Sequence, residues 1–307
     1  MNIVSTFRNG LVLLLVAGIV NGCGNNAADA PLDTRDSGTI HISVDESFKP
    51  VIDSQIQVFE SSNSGAHIIA HYKPEADCLK DLLVDSIRMI ITTRGFSPSE
   101  EQVISDSLKV DPSMRILAYD AVAVIVHPQS PDSMFTMEEI KGLLTGREYQ
   151  NKIPVFDGLK ATSTVRFVLD SVLRGDTLTS RTVAAESSEG VIDYVARTPN
   201  AVGFIGISWI GNRDDSAQLT FLQKVNLAHL ESTDRPGGYV QPVQANIYYR
   251  RYPMVRDLVY ILKERHRGLG RGFANFMMAD QGQLIFRRAY LMPAFLTFTL
   301  RDANLTE

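Results

Sequence analysis

The sequence predicts an α/β fold with mainly parallel sheets, and three observations carry that prediction. Short apolar runs rich in β-branched residues alternate along the chain with segments of helical periodicity, the pattern of repeated strand–helix units. Residues 116–126 form a long apolar run of the kind expected for a strand buried on both faces. The chain has 307 residues, 44% apolar and 21% charged, which suits one large or two ordinary domains and excludes wholesale disorder.

The elements follow in order. Ile40, Ile42 and Val44 alternate with polar residues and give the first strand. Pro50 then stands in the first turn of a helix whose buried stripe is Phe48, Val51, Ile52, Ile56 and Phe59. Residues 66–70 read as a second strand, 75–84 as a helix and 89–92 as a third strand. Ser97-Pro98-Ser99-Glu100 combines an N-cap, a proline at the first helical position and a glutamate two further on, a strong helix start. After the 116–126 strand, Thr136 and Glu139 make a capping box and Gly146 closes that helix. Residues 153–156 are a strand, and Val165, Val168, Leu169, Val172 and Leu173 form a helical stripe. Ser187 and Ser188 cap a helix ending near Thr198, and residues 201–205 are a strand. Residues 214–215 and 234–238 read as loops, and 258–262 fits either a strand or a helix. Helices around 273–277 and 281–290 close the chain.

The amino terminus reads as an export signal. Arg8 gives a basic n-region, and the apolar stretch 11–20 is short of the roughly 20 residues that span a bilayer but suits a signal-peptide core. Gly22 before Cys23 resembles the lipobox of bacterial lipoproteins, which implies a signal peptide over 1–22, diacylation of Cys23 and a membrane anchor made of lipid. Residues 23–37 then form a flexible tether. With Cys23 so used, Cys78 is left alone, without a disulfide, as a small buried hydrophobe.

Charge and motifs narrow the function. A net charge of −5 argues against a nucleic-acid partner. The ten basic residues against five acidic ones after position 239 read as a solvated face. His67 and His71 are not joined by a carboxylate or thiol at ligand spacing, so no metal is expected. Gly268 to Gly272 lacks the context of a phosphate loop, and no nucleophile motif is present, so no enzyme and no cofactor are expected. What remains is a set of hydroxyl-dressed helix starts, at Ser47, at Thr92-Thr93-Arg94 and at Thr162-Ser163-Thr164, able to donate to an oxyanion. The same residues are also ordinary N-caps. Arg94 is the candidate cation, the alternative for it being a surface salt bridge to Glu100 or Glu101, and Arg166 is the weaker candidate.

Residues 118–128 and 135–146 resemble the hinge strand and following helix of the phosphate-binding proteins of ABC importers, the PstS-like family. Residues 191–196 with 200–206, and Tyr252-Pro253-Met254-Val255-Arg256, resemble two further stretches of that family. The resemblance implies a two-lobed periplasmic-binding-protein fold of type II, each lobe a mainly parallel sheet flanked by helices, with the ligand between them. Lobe one would be 38–115 with 240–307, and lobe two 116–239. It further implies a monomer that captures phosphate or a related oxyanion for an ABC permease. Ser47 and Phe48 (through main-chain N–H), Thr93 and Arg94 match the ligand loops of lobe one. Thr162, Ser163 and Thr164 match the helix start of lobe two. Three departures stand out: Thr-Ser-Thr lacks the usual glycine, the arginine usually before it is absent with Asp157 nearby, and Asp45 and Glu46 precede Ser47. The alternative is a surface lipoprotein of the same fold that senses or binds a partner.

Overall fold

The structure is a computed structural model, and it describes residues 33–108, 111–158, 162–212 and 215–295. Cys23, the signal segment and the tether before Asp33 lie outside the described residues.

Strands β1 (Ser37–Asp45), β2 (Gly65–Lys73) and β3 (Ile87–Thr92) run parallel, with β1 between the other two. The helix Lys49–Ser62 covers one face, laying Val51, Ile52 and Phe59 over Ile40, Ile42 and Val44 in one continuous core. β4 (Ser113–Val126) is the long strand, and it changes partners half-way. Its first half pairs antiparallel with β12 (Val255–Leu262), which itself pairs with β3. From Val122 onward it pairs antiparallel with β8 (Ala201–Gly206). β8 runs parallel to β6 (Ile153–Phe156), which runs parallel to β7 (Val183–Ala184). The order is therefore β2-β1-β3-β12-β4-β8-β6-β7, with β9 (Asn226–Leu227) and β13 (Met292–Pro293) also on β4. One strand is shared by two sheets, and the partner switch at Ala121/Val122 lies a few residues beyond the Arg115 boundary read from sequence. A small sheet of β5 (Met134–Phe135), β10 (His229–Ser232) and β11 (Arg235–Val240) flanks the second half.

The capping signals act as read. Thr136 and Glu139 form a reciprocal capping box, and Gly146 ends that helix in the left-handed region at φ 78°. Other elements differ. Residues 258–262 belong to strand β12, whose unbroken apolar run reflects burial on both faces at the centre of the sheet. Residues 234–238 turn out to enter β11, the edge of a hairpin, where Pro236 needs no ladder partner and Gly237 supplies φ 73°. Asp215, read as loop, caps the helix Ser216–Lys224 by accepting from the N–H groups of Ala217 and Gln218. The helix from Glu75 stops at Asp81, earlier than its periodicity suggests. The stripe through Leu173 begins as the α-helix Ser163–Phe167 and widens to π-type turns over Val168–Leu173. Cys78 is fully buried and unpaired, and burial pushes its thiol up to about 12.

Candidate ligand-binding site

The carboxyl ends of β1 and β6, the middle of β4 and the start of β12 converge between the two halves. They bring Asp45, Asp120, Asp157 and Arg256 together, all buried. Arg256 is the centre. Its Nε donates to Asp120 Oδ2 at 2.7 Å, and its Nη1 donates to Ser163 Oγ at 3.0 Å and to Thr164 Oγ1 at 3.4 Å. The guanidinium lies over the Phe48 ring, 5.3 Å from its centroid. Ser47 closes the circle. Its N–H donates to Asp45 Oδ1 at 3.0 Å, and its hydroxyl meets that of Ser163 at 3.3 Å.

Buried polar atoms are almost always paired, because an unpaired one forfeits its hydration without return. Here four have no partner among the described residues, all in one place: Arg256 Nη2 and one oxygen each of Asp45, Asp120 and Asp157. Burial raises the pKa of all three carboxyls, opposed by Arg256; for Asp45, repulsion from Glu75 adds to the rise, to about 7. Three acids around one guanidinium suit a ligand that both accepts and donates hydrogen bonds.

A second polar group lies at the edge of the cleft and is self-satisfied. Arg166 reaches across to Glu75 through its Nε and donates from Nη2 to Thr93 Oγ1 at 2.6 Å. The N–H and hydroxyl of Thr93 both donate to Glu75 Oε1, at 2.8 and 2.6 Å. Burial works against the Glu75 carboxylate, but Arg166 and Thr93 outweigh it and hold its pKa below the usual range. Trp209 adds a further tie by donating from Nε1 to Ser47 O at 2.7 Å.

Of the residues expected at the site, Ser47, Phe48, Ser163 and Thr164 meet at Arg256. Thr162 serves as the N-cap, its Oγ1 accepting from Val165 N–H at 3.3 Å. Thr93 belongs to the edge group. Arg94 is elsewhere engaged: its guanidinium forks onto both oxygens of Glu100, at 2.7 and 3.0 Å, and donates to Gly95 O. Arg256 and Asp120 were not singled out from sequence. The available signal was a pair of opposite charges in two strands otherwise apolar enough for burial on both faces: Asp120 within the apolar run 116–126, and Arg256 beside Asp257 at the start of β12. Asp33, Glu264 and His266 also cluster, but Arg88 and the N–H groups of Leu269, Gly270 and Arg271 occupy the carboxylates, which cap the helix Leu269–Met278.

A family profile described as the PBP superfamily domain matches residues 29–281. The chain belongs to the PBP superfamily. Among relatives, it is similar to the phosphate-binding protein PstS of Bacillus subtilis, 23% identical over 97% of this chain and 98% of the relative. Among solved structures it resembles one described as a phosphate ABC transporter substrate-binding protein of Clostridium perfringens with bound phosphate. That match has a TM-score of 0.69 at 18% identity, over 84% of this chain and all of the other. An ABC-type phosphate transport receptor from Vibrio cholerae gives 0.63 at 16% identity, over 82% of this chain and 99% of the other. These likenesses show the fold: two α/β lobes of the periplasmic-binding type, with curled sheets flanked by helices. The arginine beside Ser163 and Thr164 comes from β12, not from the stretch ahead of Thr162.

Proposed function

We propose that this protein captures phosphate or a closely related oxyanion in the cleft and hands it to an ABC permease. It is exported and held to the membrane by lipid on Cys23. The observation that carries the reading is the set of four unpaired buried atoms around Arg256. A tetrahedral oxyanion accepts from Arg256 Nη2 and from the hydroxyls of Ser47, Ser163 and Thr164. If it carries a proton, it also donates to Asp45 or Asp157. Sulfate has no such proton at neutral pH and cannot donate to whichever of these carboxyls is ionised, which favours phosphate. The similarity to phosphate-binding relatives over nearly the whole chain supports the same ligand. No covalent step is involved: the ligand binds the closed arrangement better than the open one, and that difference drives closure. Residues 38–121 with the stretch from about 240 act as one lobe, and 122–239 as the other.

Titration calorimetry of the purified protein with phosphate, sulfate and molybdate tests this. One phosphate per chain, bound at least about tenfold tighter than sulfate for one charge-assisted hydrogen bond, is expected. Binding of none of the three would remove the oxyanion reading.

A further inference from the structure

Apart from Arg256, the basic residues of the carboxyl-terminal part of the chain have no role in the cleft. β1 and β3 begin, and β12 ends, at the pole of lobe one opposite the site, since Leu262 pairs with Met89 and with Ser113. Lys263 follows Arg256 by seven positions, roughly 24 Å at the usual strand rise. At this pole stand Arg115, Lys263, Arg265, Arg267 and Arg271, none in an ion pair among the described residues, with Asp85 the acidic group acting on Lys263. Leu83, Val84 and Met114 are exposed there, at 49, 45 and 52%. Lys263, Arg265, His266 and Arg88 line a concavity of about 730 Å³ together with Leu83. Only Asp85 among its lining residues is acidic. Cations interleaved with exposed aliphatic side chains are the composition of a surface that sits in a lipid interface.

The chain enters the fold at this same pole. Asp33 is buried against the basic loop: it accepts from Leu269 N–H at 2.6 Å and contacts His266 and Arg88. Any side chain at Gly272 would strike Arg35 O, so the entering segment is clamped onto the helix start. Asp33 follows Cys23 by ten positions, a reach of at most about 35 Å.

We propose that this pole of lobe one docks on an anionic phospholipid surface, holding the cleft on the side away from the bilayer. The proposal rests on the reading that Cys23 carries the anchor, because only then does the tether keep the pole at the membrane. It adds an orientation that the anchor alone does not give. Docking by this pole and presentation of the cleft to a membrane-embedded permease exclude one another, so lipid contact describes the capturing protein and must be released for delivery.

Hydrogen exchange of the acylated protein on vesicles is the test. Neutral phosphatidylcholine vesicles are compared with vesicles containing phosphatidylglycerol, at low and at high salt. Exchange at residues 83–85 and 263–267 is expected to slow at least about tenfold on the anionic vesicles at low salt, and to recover at high salt. Arg265→Glu with Arg267→Glu removes the slowing and leaves phosphate affinity unchanged. Equal exchange on both vesicle types overturns the proposal. So does protection by soluble heparin without protection by vesicles, which would make the patch a site for a polyanion. The anchor is read separately, as flotation with neutral vesicles at high salt. If that fails while salt-sensitive protection on anionic vesicles remains, the anchor reading falls and the lipid-binding surface stands.

Discussion

The floor and the edge of the cleft are both built from arginine, carboxylate and hydroxyl groups, yet they end differently. At the edge, Arg166, Glu75 and Thr93 satisfy one another, and Arg94 closes on Glu100. At the floor, Arg256, Asp45, Asp120 and Asp157 keep atoms without partners although they are more deeply buried. Burial makes an unmet hydrogen bond more costly, so the fold has placed its least satisfied groups where they cost most. The floor therefore reads as the binding surface, and the edge as the clasp that joins two lobes.

Arg256→Met should give the largest effect. Oxyanion affinity is expected to fall at least about a hundredfold for the loss of two charged hydrogen bonds. Asp120 is then left as a buried charge without its partner, and stability should drop by about 3–5 kcal/mol. Adding Asp120→Asn should recover melting temperature but not affinity. Calorimetry beside thermal denaturation reads both, and undiminished binding by the double variant would place the ligand elsewhere. Thr164→Val and Ser163→Ala come next, each expected to weaken affinity by about 1.5–3 kcal/mol.

Arg166→Met probes the clasp. It removes the tie between lobes without touching the floor. Ligand dissociation measured by stopped flow should speed up by about tenfold, with slight change in association. If instead association collapses, the edge takes part in binding. Asp45→Asn separates the regions by pH. Burial, with Glu75 adding, lifts Asp45 from 3.8 to about 7, so the fold favours its neutral form. That contribution is full below 3.8 and lost as pH rises through about 7. The ligand-free wild type should accordingly lose melting temperature relative to Asp45→Asn across that window. Parallel curves would mean that Asp45 stays ionised throughout. Arg94→Met should matter least: at most about 1 kcal/mol of stability, as for an exposed pair, and no change in affinity.

Much of the fold was legible because local rules and burial agree. The capping box at Thr136, the left-handed Gly146 and the stripe facing Ile40, Ile42 and Val44 follow from spacing alone. Strand β12 was ambiguous because a strand buried on both faces loses its alternation, leaving only β-branched content and length to decide. At the site, hydroxyls beside helix starts were readable, since Ser47, Ser163 and Thr164 announce themselves by position. Arg256 was not, because its partners come from β4 and from the helix after β6, far apart in sequence. Arg94 looked suitable at a strand end, but a salt bridge to Glu100 or Glu101 was the competing expectation from sequence, and the fork onto Glu100 is what the fold adopts.

The sharing of β4 also governs the order in which the chain can be assembled as it emerges from its amino terminus. β1, β2 and β3 emerge first, but β3 presents an unpaired edge until β12 arrives, because Leu262 is the partner of Met89. The second sheet needs nothing beyond β9, and its main strands are complete once β8 has appeared. The later lobe thus closes before the earlier one. Through that interval the newborn protein carries an open, apolar sheet edge that invites pairing with a neighbour, so its folding yield should fall as the concentration of newly made chains rises.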